Sequence, residues 1–535
     1  MDHLTTISTR RTPQSQPADP CQARNKAGGY TFTVTPEQRL RRFLTLGTDS
    51  GTYYTSPAEL TRDNANTVID MADTDHKLLV NTIVDVSTRG AAPRQNPTLF
   101  ALAVAASHGT DSERRYALDQ LANVARTGTH LFLFAQYVEQ FRGWGRGLRR
   151  AVADWYTSKP ADSLAYQVVK YRQRGGWSHR DLLRLAHPET ADESLQAVLA
   201  WVAQQATSEA TPRLIEGYLK ANEAGADIPA LVRNYRLSWE MLPDEALTKL
   251  ATWDALLDAG IPQTALMRQL PRLTQLGLLP SMGGRTSEVA ARLADAERLQ
   301  AARVHPVNVL TAQRTYAGGR SLRGSGSWSP SRKIVDALDE AFYKAFGAVE
   351  PAGKRTMLAL DVSGSMGMST IANSPLTPRE ASAALALVQM ATEPEVEVVG
   401  FTSSGVTGPF GWGSDELRPL SISPRQRLDD AIKTVSGLPF GGTDCAMPMR
   451  HALANRMPVD TFVVYTDNET WAGSQHPYQA LAEYRQKMGI DARLIVVGMT
   501  ATECSIADPS DPGMLDVAGF DSAVPNLISD FSRGF

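Results

Sequence analysis

Two folds in series are predicted: an all-α region of short stacked helices over the first 350 residues or so, then an α/β domain built on a parallel sheet. Three observations predict this. Helical periodicity dominates the first part, with almost no alternating strand pattern. Near Lys354 the pattern changes to short apolar runs separated by helical stretches. The charge balance reverses at the same place: residues 1–350 hold 41 Lys+Arg against 36 Asp+Glu, a net of +5, and residues 351–535 hold 13 against 21, a net of −8.

In the first part, Leu131, Phe134, Val138 and Phe141 recur at spacings of three and four, as do Ala117, Leu121 and Val124, each set forming one apolar helix stripe. Thr35-Pro36-Glu37-Gln38 and Ser56-Pro57-Ala58-Glu59 combine an N-cap, Pro at the first helical position and a capping-box partner. Helices are expected over 36–46, 57–72, 97–107, 113–126, 130–141, 162–174, 193–206, 213–222 and 245–259. They are too short for a coiled coil and too many for one bundle, so a solenoid of helix pairs accommodates them best. Residues 1–28 lack an apolar core and are expected to form a disordered tail; 29–350 form the helical domain and 354–535 the α/β domain.

The second part supplies strands over Thr356 to Leu360, Val396 to Phe401, Thr461 to Tyr465 and Arg493 to Met499, with helices at Arg379 to Met390, Arg425 to Val435, Cys445 to Leu453 and Tyr478 to Met488. Thr377-Pro378-Arg379-Glu380 and Ser423-Pro424-Arg425-Gln426 repeat the helix-start signature. Ligands of such sheets gather at the carboxyl ends of the strands. Asp361-Val362-Ser363-Gly364-Ser365 falls at one such end, Asp467 at another, and Gly441-Gly442-Thr443-Asp444 offers a hydroxyl on a glycine-rich loop. Asp361, Ser363, Ser365, Thr443 and Asp467 are hard oxygen donors of the kind that suit Mg2+ or another divalent cation completed by waters. A lone D-x-S-x-S would read as an N-cap or turn; three segments in this order read as a metal site.

Several classes are argued against. No apolar run approaches the roughly 18 residues a bilayer span needs, and Cys21, Cys445 and Cys504 have no C-x-x-C spacing. A cytoplasmic protein that binds no membrane and no small-molecule substrate is expected. The sequence contains no Walker lysine loop, Ser-His-Asp ordering or H-E-x-x-H motif, and D-V-S-G-S offers hydroxyls where a phosphohydrolase would place a second Asp near its nucleophile, so no enzyme activity is expected.

Two sets of residues resemble known families. The C-terminal part resembles a von Willebrand factor A domain, whose metal-ion-dependent adhesion site matches Asp361, Ser363, Ser365, Thr443 and Asp467. The N-terminal part resembles the TROVE module of Ro ribonucleoproteins in Arg42-Phe43-Leu44-Thr45-Leu46-Gly47 with Gly51-Thr52-Tyr53-Tyr54, in Trp144 to Tyr156, in Lys170 to Arg174 with Trp177 to His187, and in Val349 to Arg355. Three departures stand out: Gly364 inside the D-x-S-x-S loop, Gln269 where an Asn is expected after Arg268, and no glycine directly after Asp467. The resemblance implies a ring of HEAT-like repeats closed by the A domain. It further implies binding of small noncoding Y RNA on the outer surface and of single-stranded 3′ ends of misfolded or precursor RNAs in a central hole. Work with an exoribonuclease in RNA maturation, quality control and stress responses would follow.

The chemistry of the sequence places the RNA surface at Lys170, Arg172, Arg174, His179, Arg180, Arg184 and His187, with Tyr171 and Trp177 interleaved. Cations engage phosphates, and imidazole or aromatic faces stack on unpaired bases. On helices, Lys170 and Arg174 would share one face, and Arg180, Arg184 and His187 another. The resemblance points to Lys170, Arg174 and His187 first. A second cluster, Arg142, Arg146, Arg149 and Arg150, lies at a glycine-rich helix start that favours phosphate. A third, Arg314, Arg320, Arg323, Arg332 and Lys333, surrounds a glycine-rich stretch that reads equally well as a linker. His305-Pro306 reads as a structural turn. Two other readings compete: a Mg2+-dependent nuclease or phosphatase using Asp361, and a protein-adhesion module acting through the A-domain metal site.

Overall fold

The computed structural model describes residues 11–48, 52, 54–321, 325–347, 349–371, 374–402, 416–424, 426–436 and 441–534. From Pro36 to Lys344 the described chain is a succession of short helices, each started and stopped by local chemistry. Pro36–Leu46 opens with a full capping box between Thr35 and Gln38, and Pro57–Thr74 opens at Ser56, whose hydroxyl accepts from the Glu59 N–H. Such caps satisfy backbone donors that the first helical turn leaves free. Successive helices share one apolar core, in which Leu131, Phe134 and Val138 of Gly128–Phe141 and Ala117, Leu121 and Val124 of the preceding segments are buried. The helix expected over 113–126 is two pieces, Asp111–Asp119 and Leu121–Val124. The helix expected over 162–174 stops at Lys170, because Tyr171 leaves helical geometry.

Strands are few in this region. The segments β1 (Gln22–Arg24) and β2 (Tyr30–Thr33) precede the first helix, and β3 (Gln173–Arg174) pairs with β4 (Trp177–Ser178) around Gly175 and Gly176. Both of those glycines have positive φ, +58° and +84°, which an L-residue resists.

The A-type domain contributes β5 (Thr356–Asp361), β6 (Val396–Thr402), β7 (Glu416–Pro419), β8 (Thr461–Thr466), β9 (Arg493–Gly498), β10 (Cys504–Ser505) and β11 (Met514–Ala518). The six-stranded sheet runs β11-β9-β8-β5-β6-β7, parallel except for β7 at the edge. From β5 the chain moves first to β6 on one side and later to β8 on the other. The switch point therefore lies between β5 and β8, at the strand ends that carry Asp361 and Asp467. The Thr377–Glu380 capping box forms, whereas the helix after Ser423 begins only at Leu428.

The disordered tail expected over residues 1–28 is corrected for 11–28, which are built into the A domain. The β2 strand pairs with β1 and β10. Gln14 is fully buried; its Nε2 donates to Asp444 Oδ1 (2.7 Å) and to Gln475 O (2.8 Å). Asn25 Nδ2 donates to Thr470 O, and Arg11 pairs with Glu483 at 2.9 Å. A Cβ on Gly29 would stand 2.0 Å from Thr470 O, so only glycine fits there. Polar composition suggested disorder, but these amides and hydroxyls find partners on the A-domain surface.

Both ends of the helical region reach the A domain, which closes the chain on itself. At one end the guanidinium of Arg42, fully buried, pairs with Asp516 at 2.5 Å and donates to Thr502 O and Cys504 O. Asn64 Nδ2 donates to Ala501 O. At the other end Arg427 pairs with Asp336, Leu428 N–H donates to Asp339, and Arg314 pairs with Glu380. His305 caps Pro306–Ala317 at the same seam. Its Nε2 donates to Ala91 O (3.1 Å) and Phe520 O (2.8 Å) while Nδ1 accepts from Val307 N–H, so the ring is a neutral structural turn residue.

Candidate metal centre and nucleic-acid interface

The three segments expected to form a metal site converge. Asp361 ends β5, Asp467 follows β8, and Gly364 N–H donates to Gly441 O, which ties the D-x-S-x-S turn to the Thr443 loop. Ser363 N–H donates to Asp361 Oδ1 (2.9 Å), Thr466 Oγ1 donates to Oδ2 (2.7 Å), Ser363 and Ser365 Oγ lie 3.1 Å apart, and Glu469 N–H donates to Asp467 Oδ1 (3.1 Å). All five side chains are buried. Burial, with Asp361 and Glu469 close by, pushes the Asp467 carboxyl up to about 8, and burial raises Asp361 as well. Among the described residues the buried Thr443 Oγ1 has no hydrogen-bond partner. Among the described residues no group of three or more His, Cys, Asp or Glu side chains is arranged to hold a metal, so the hydroxyls are essential to the donor set. Crowded, desolvated carboxylates beside an orphaned hydroxyl fit a hard divalent cation, which would lower both carboxyls again.

Sequence reasoning missed the supports of this cradle. Arg379, buried, donates to Val362 O and to Ser363 O (2.9 Å), pinning the D-x-S-x-S turn from behind. The N-terminal segment flanks the site through Gln14 on Asp444 and Ala27 N–H on Glu469. Arg379 sits in the helix-start box already singled out; Gln14 carries no local signal, because its role exists only after the tail docks.

The basic surface is divided by burial. Arg172, Arg174, Arg180, Arg184 and His187 are exposed. His179 is not: it is 2 % exposed, its Nδ1 bonds Tyr156 Oη at 2.7 Å, and it packs between Phe132 and Trp155. Desolvation lowers it to about 3, so its placement on the RNA surface is corrected to a neutral core residue. Lys170, its side chain only 8 % exposed, bonds Tyr166 and stands 3.3 Å from Glu240, while Arg174 lies on β3; the shared helix face expected for Lys170 and Arg174 does not exist. Arg180 and Arg184 do lie on one helix, His179–Ala186, with His187 as its left-handed cap.

Arg172 is held in place, with its Nη1 donating to Tyr218 Oη (2.5 Å) and its guanidinium over that ring. Trp177 is half-buried and lies 5.3 Å from Trp144, so two indoles join the β3–β4 hairpin to the second cluster. In that cluster Arg142, Arg146, Arg149 and Arg150 are exposed around the start of Arg146–Thr157. In the third cluster Arg314 pairs with Glu380 and Lys333 donates to Ser287, while Arg323 lies outside the described residues. No helix among the described residues is long and apolar enough to cross a membrane.

The TROVE domain family model matches residues 23–223 and 234–317, and the Ro60 vWA domain model matches 355–532. The chain is 43% identical over 539 residues to the RNA-binding protein RO60 of Deinococcus radiodurans, covering 99% of each. It is 36% identical over 595 residues to the RNA-binding protein RO60 of Caenorhabditis elegans, covering 96% of this chain and 90% of that one. The crystal structure of the Deinococcus radiodurans Ro (RSR) protein aligns with a TM-score of 0.70 at 43% identity, covering 94% of this chain and 100% of that one. A helical TROVE region followed by a Ro-type A domain, over essentially the full length of these relatives, means that the chain belongs to the Ro family.

Proposed function

We propose that this protein is a noncatalytic, cytoplasmic RNA-binding scaffold that holds small structured Y-type RNA on the outer face of the helical region. In this reading it also takes single-stranded 3′ ends of misfolded or precursor RNAs into a central hole and presents them to an exoribonuclease during maturation, quality control and stress. The observation that carries the reading is the exposed array Arg172, Arg174, Arg180, Arg184 and His187 beside the half-buried Trp177. Guanidinium groups there neutralise phosphates and the indole offers a base a stacking face. The relatives' printed names, RNA-binding protein RO60, support the RNA part. The test is a filter-binding titration with a Y-like RNA at several salt concentrations. Removing Arg174 and Arg180 together should weaken binding and flatten the salt slope by about two counterions' worth; unchanged affinity refutes this surface.

A second reading, protein adhesion through the A domain, is favoured by the buried Thr443 hydroxyl, which has no hydrogen-bond partner among the described residues. A bound Mg2+ would supply a Lewis-acidic point able to accept a partner's carboxylate. Asp361, Ser363, Ser365, Thr443 and Asp467 are the residues that would hold it. Calorimetry with Mn2+ as surrogate tests the site, and retained binding in Asp361→Ala refutes it.

A further inference from the structure

Behind the second basic cluster lies a cleft of about 510 Å³ that is absent from any linear reading of the sequence. Five guanidinium groups line it, Arg114 and Arg115 from helix Asp111–Asp119 and Arg142, Arg146 and Arg150 from around the start of Arg146–Thr157. Among the described residues two carboxylates answer them: Asp111 pairs with Arg114, and Asp119 stands 3.8 Å from Arg150. Among the described residues Arg115, Arg142 and Arg146 have no acidic partner, which leaves an excess of three positive charges facing one concavity.

Two features of the same cleft favour an anion further. Helix Arg146–Thr157 begins at Gly145 with no side-chain cap, so its first-turn N–H groups are not answered by a side chain. A Cβ added at Gly143 or Gly145 would meet nothing within 4 Å, so the space before the helix start is open. Leu118, Val138 and Leu148 supply an apolar floor. The cleft falls within the range that holds small ligands, with room for more than a bare phosphate.

We propose that this cleft is a binding site for a terminal phosphomonoester, an RNA end or a free nucleoside monophosphate, distinct from the phosphodiester-tracking surface of Arg172, Arg174, Arg180 and Arg184. Converging unpaired guanidiniums suit a dianionic end group, whereas a backbone of single charges is met by cations strung along a surface. As an RNA-end site it deepens the RNA-binding reading and rests on it.

The experiment measures fluorescence polarisation, at fixed low salt, of one short single-stranded RNA carrying a 5′ monophosphate, a 3′ monophosphate or hydroxyls at both ends. A phosphorylated form is expected to bind about tenfold tighter than the hydroxyl-ended form. Arg115→Glu, an exposed change outside the surface assigned to RNA, should abolish that advantage and leave hydroxyl-ended RNA bound as before. Equal affinity of all three forms, or an advantage that survives in Arg115→Glu, overturns the site. AMP that erases the advantage identifies free nucleotide as a competent source; AMP without effect confines the ligand to RNA ends. Should no RNA bind at all, the RNA reading fails, and calorimetry of AMP against wild type and Arg115→Glu still decides the cleft: AMP bound by the wild type alone upholds it, and AMP bound by neither or by both overturns it.

Discussion

In the A domain, Asp361, Ser363, Ser365, Thr443 and Asp467 are each at most 4 % exposed; they bond to one another, to main chain or to Thr466, and the Thr443 hydroxyl alone has no partner among the described residues. In the helical domain, Arg174, Arg180, Arg184 and His187 stand in solvent, and the exposed Arg172 is held by Tyr218. One site gathers desolvated oxygens on the rigid ends of parallel strands; the other spreads cations over helix faces and a hairpin. A buried oxygen cradle gains affinity from a cation that relieves its own crowding. An exposed arginine surface gains affinity from counterion release and therefore yields to salt. Changes at buried positions should consequently appear as stability or metal affinity, and changes at exposed ones as RNA affinity alone.

The largest expected effect is at the seam joining the two domains. Arg42→Ala leaves Asp516 buried without its cation and should destabilise the protein by about 3–5 kcal/mol, read as a drop in the urea midpoint; an unchanged midpoint breaks the contrast. His305 follows. Burial holds its folded value at about 4, below its unfolded value of roughly 6.5. The unfolded chain therefore takes up the proton first, and stability that is full above pH 6.5 declines as pH falls toward 4, by about 3 kcal/mol. That component of the pH–stability curve should be missing in His305→Gln.

Smaller effects sharpen the division within the basic surface. His179→Ala should cost about 1–3 kcal/mol, because Tyr156 Oη loses its buried partner, and an intact protein with selectively weakened RNA binding would restore His179 to the interface. Arg174→Ala should leave the melting temperature nearly unchanged, within about 0.5 kcal/mol, and reduce the salt slope of RNA binding by about one. Mn2+ should raise the melting temperature of the wild type and not of Asp361→Ala; a rise in both would move the metal elsewhere.

The cradle was legible because strand-end motifs carry their own geometry. An apolar run such as Thr356 to Leu360 places the following Asp at a carboxyl edge, and the ends of the neighbouring strands β5 and β8 meet beside one switch point, with the Thr443 loop tied to them by Gly364 N–H on Gly441 O. The basic wall was legible in composition and misplaced in detail. Spacing of four put Lys170 and Arg174 on one face only if the helix continued, and Tyr171 with Gly175-Gly176 turns the chain into a hairpin instead. His179 looked like part of the wall because its neighbours are cations. A helix has an inner face, and periodicity in a short eight-residue helix does not say which polar residue that face will bury.

From the order of residues alone follow the two fold types, the boundary near Lys354, the capped helix starts and the five oxygen-bearing residues of the cradle, since each depends on contacts or patterns a few residues long. The tertiary structure alone decided that residues 11–33 dock on the A domain, that Arg42 and His305 close the seam, that Lys170 and His179 turn inward, and that five arginines from two helices and the turn before the second line one cleft. Those outcomes depend on partners hundreds of residues away or on the side of a helix that packing selects, and neither distance nor facing is written into local spacing.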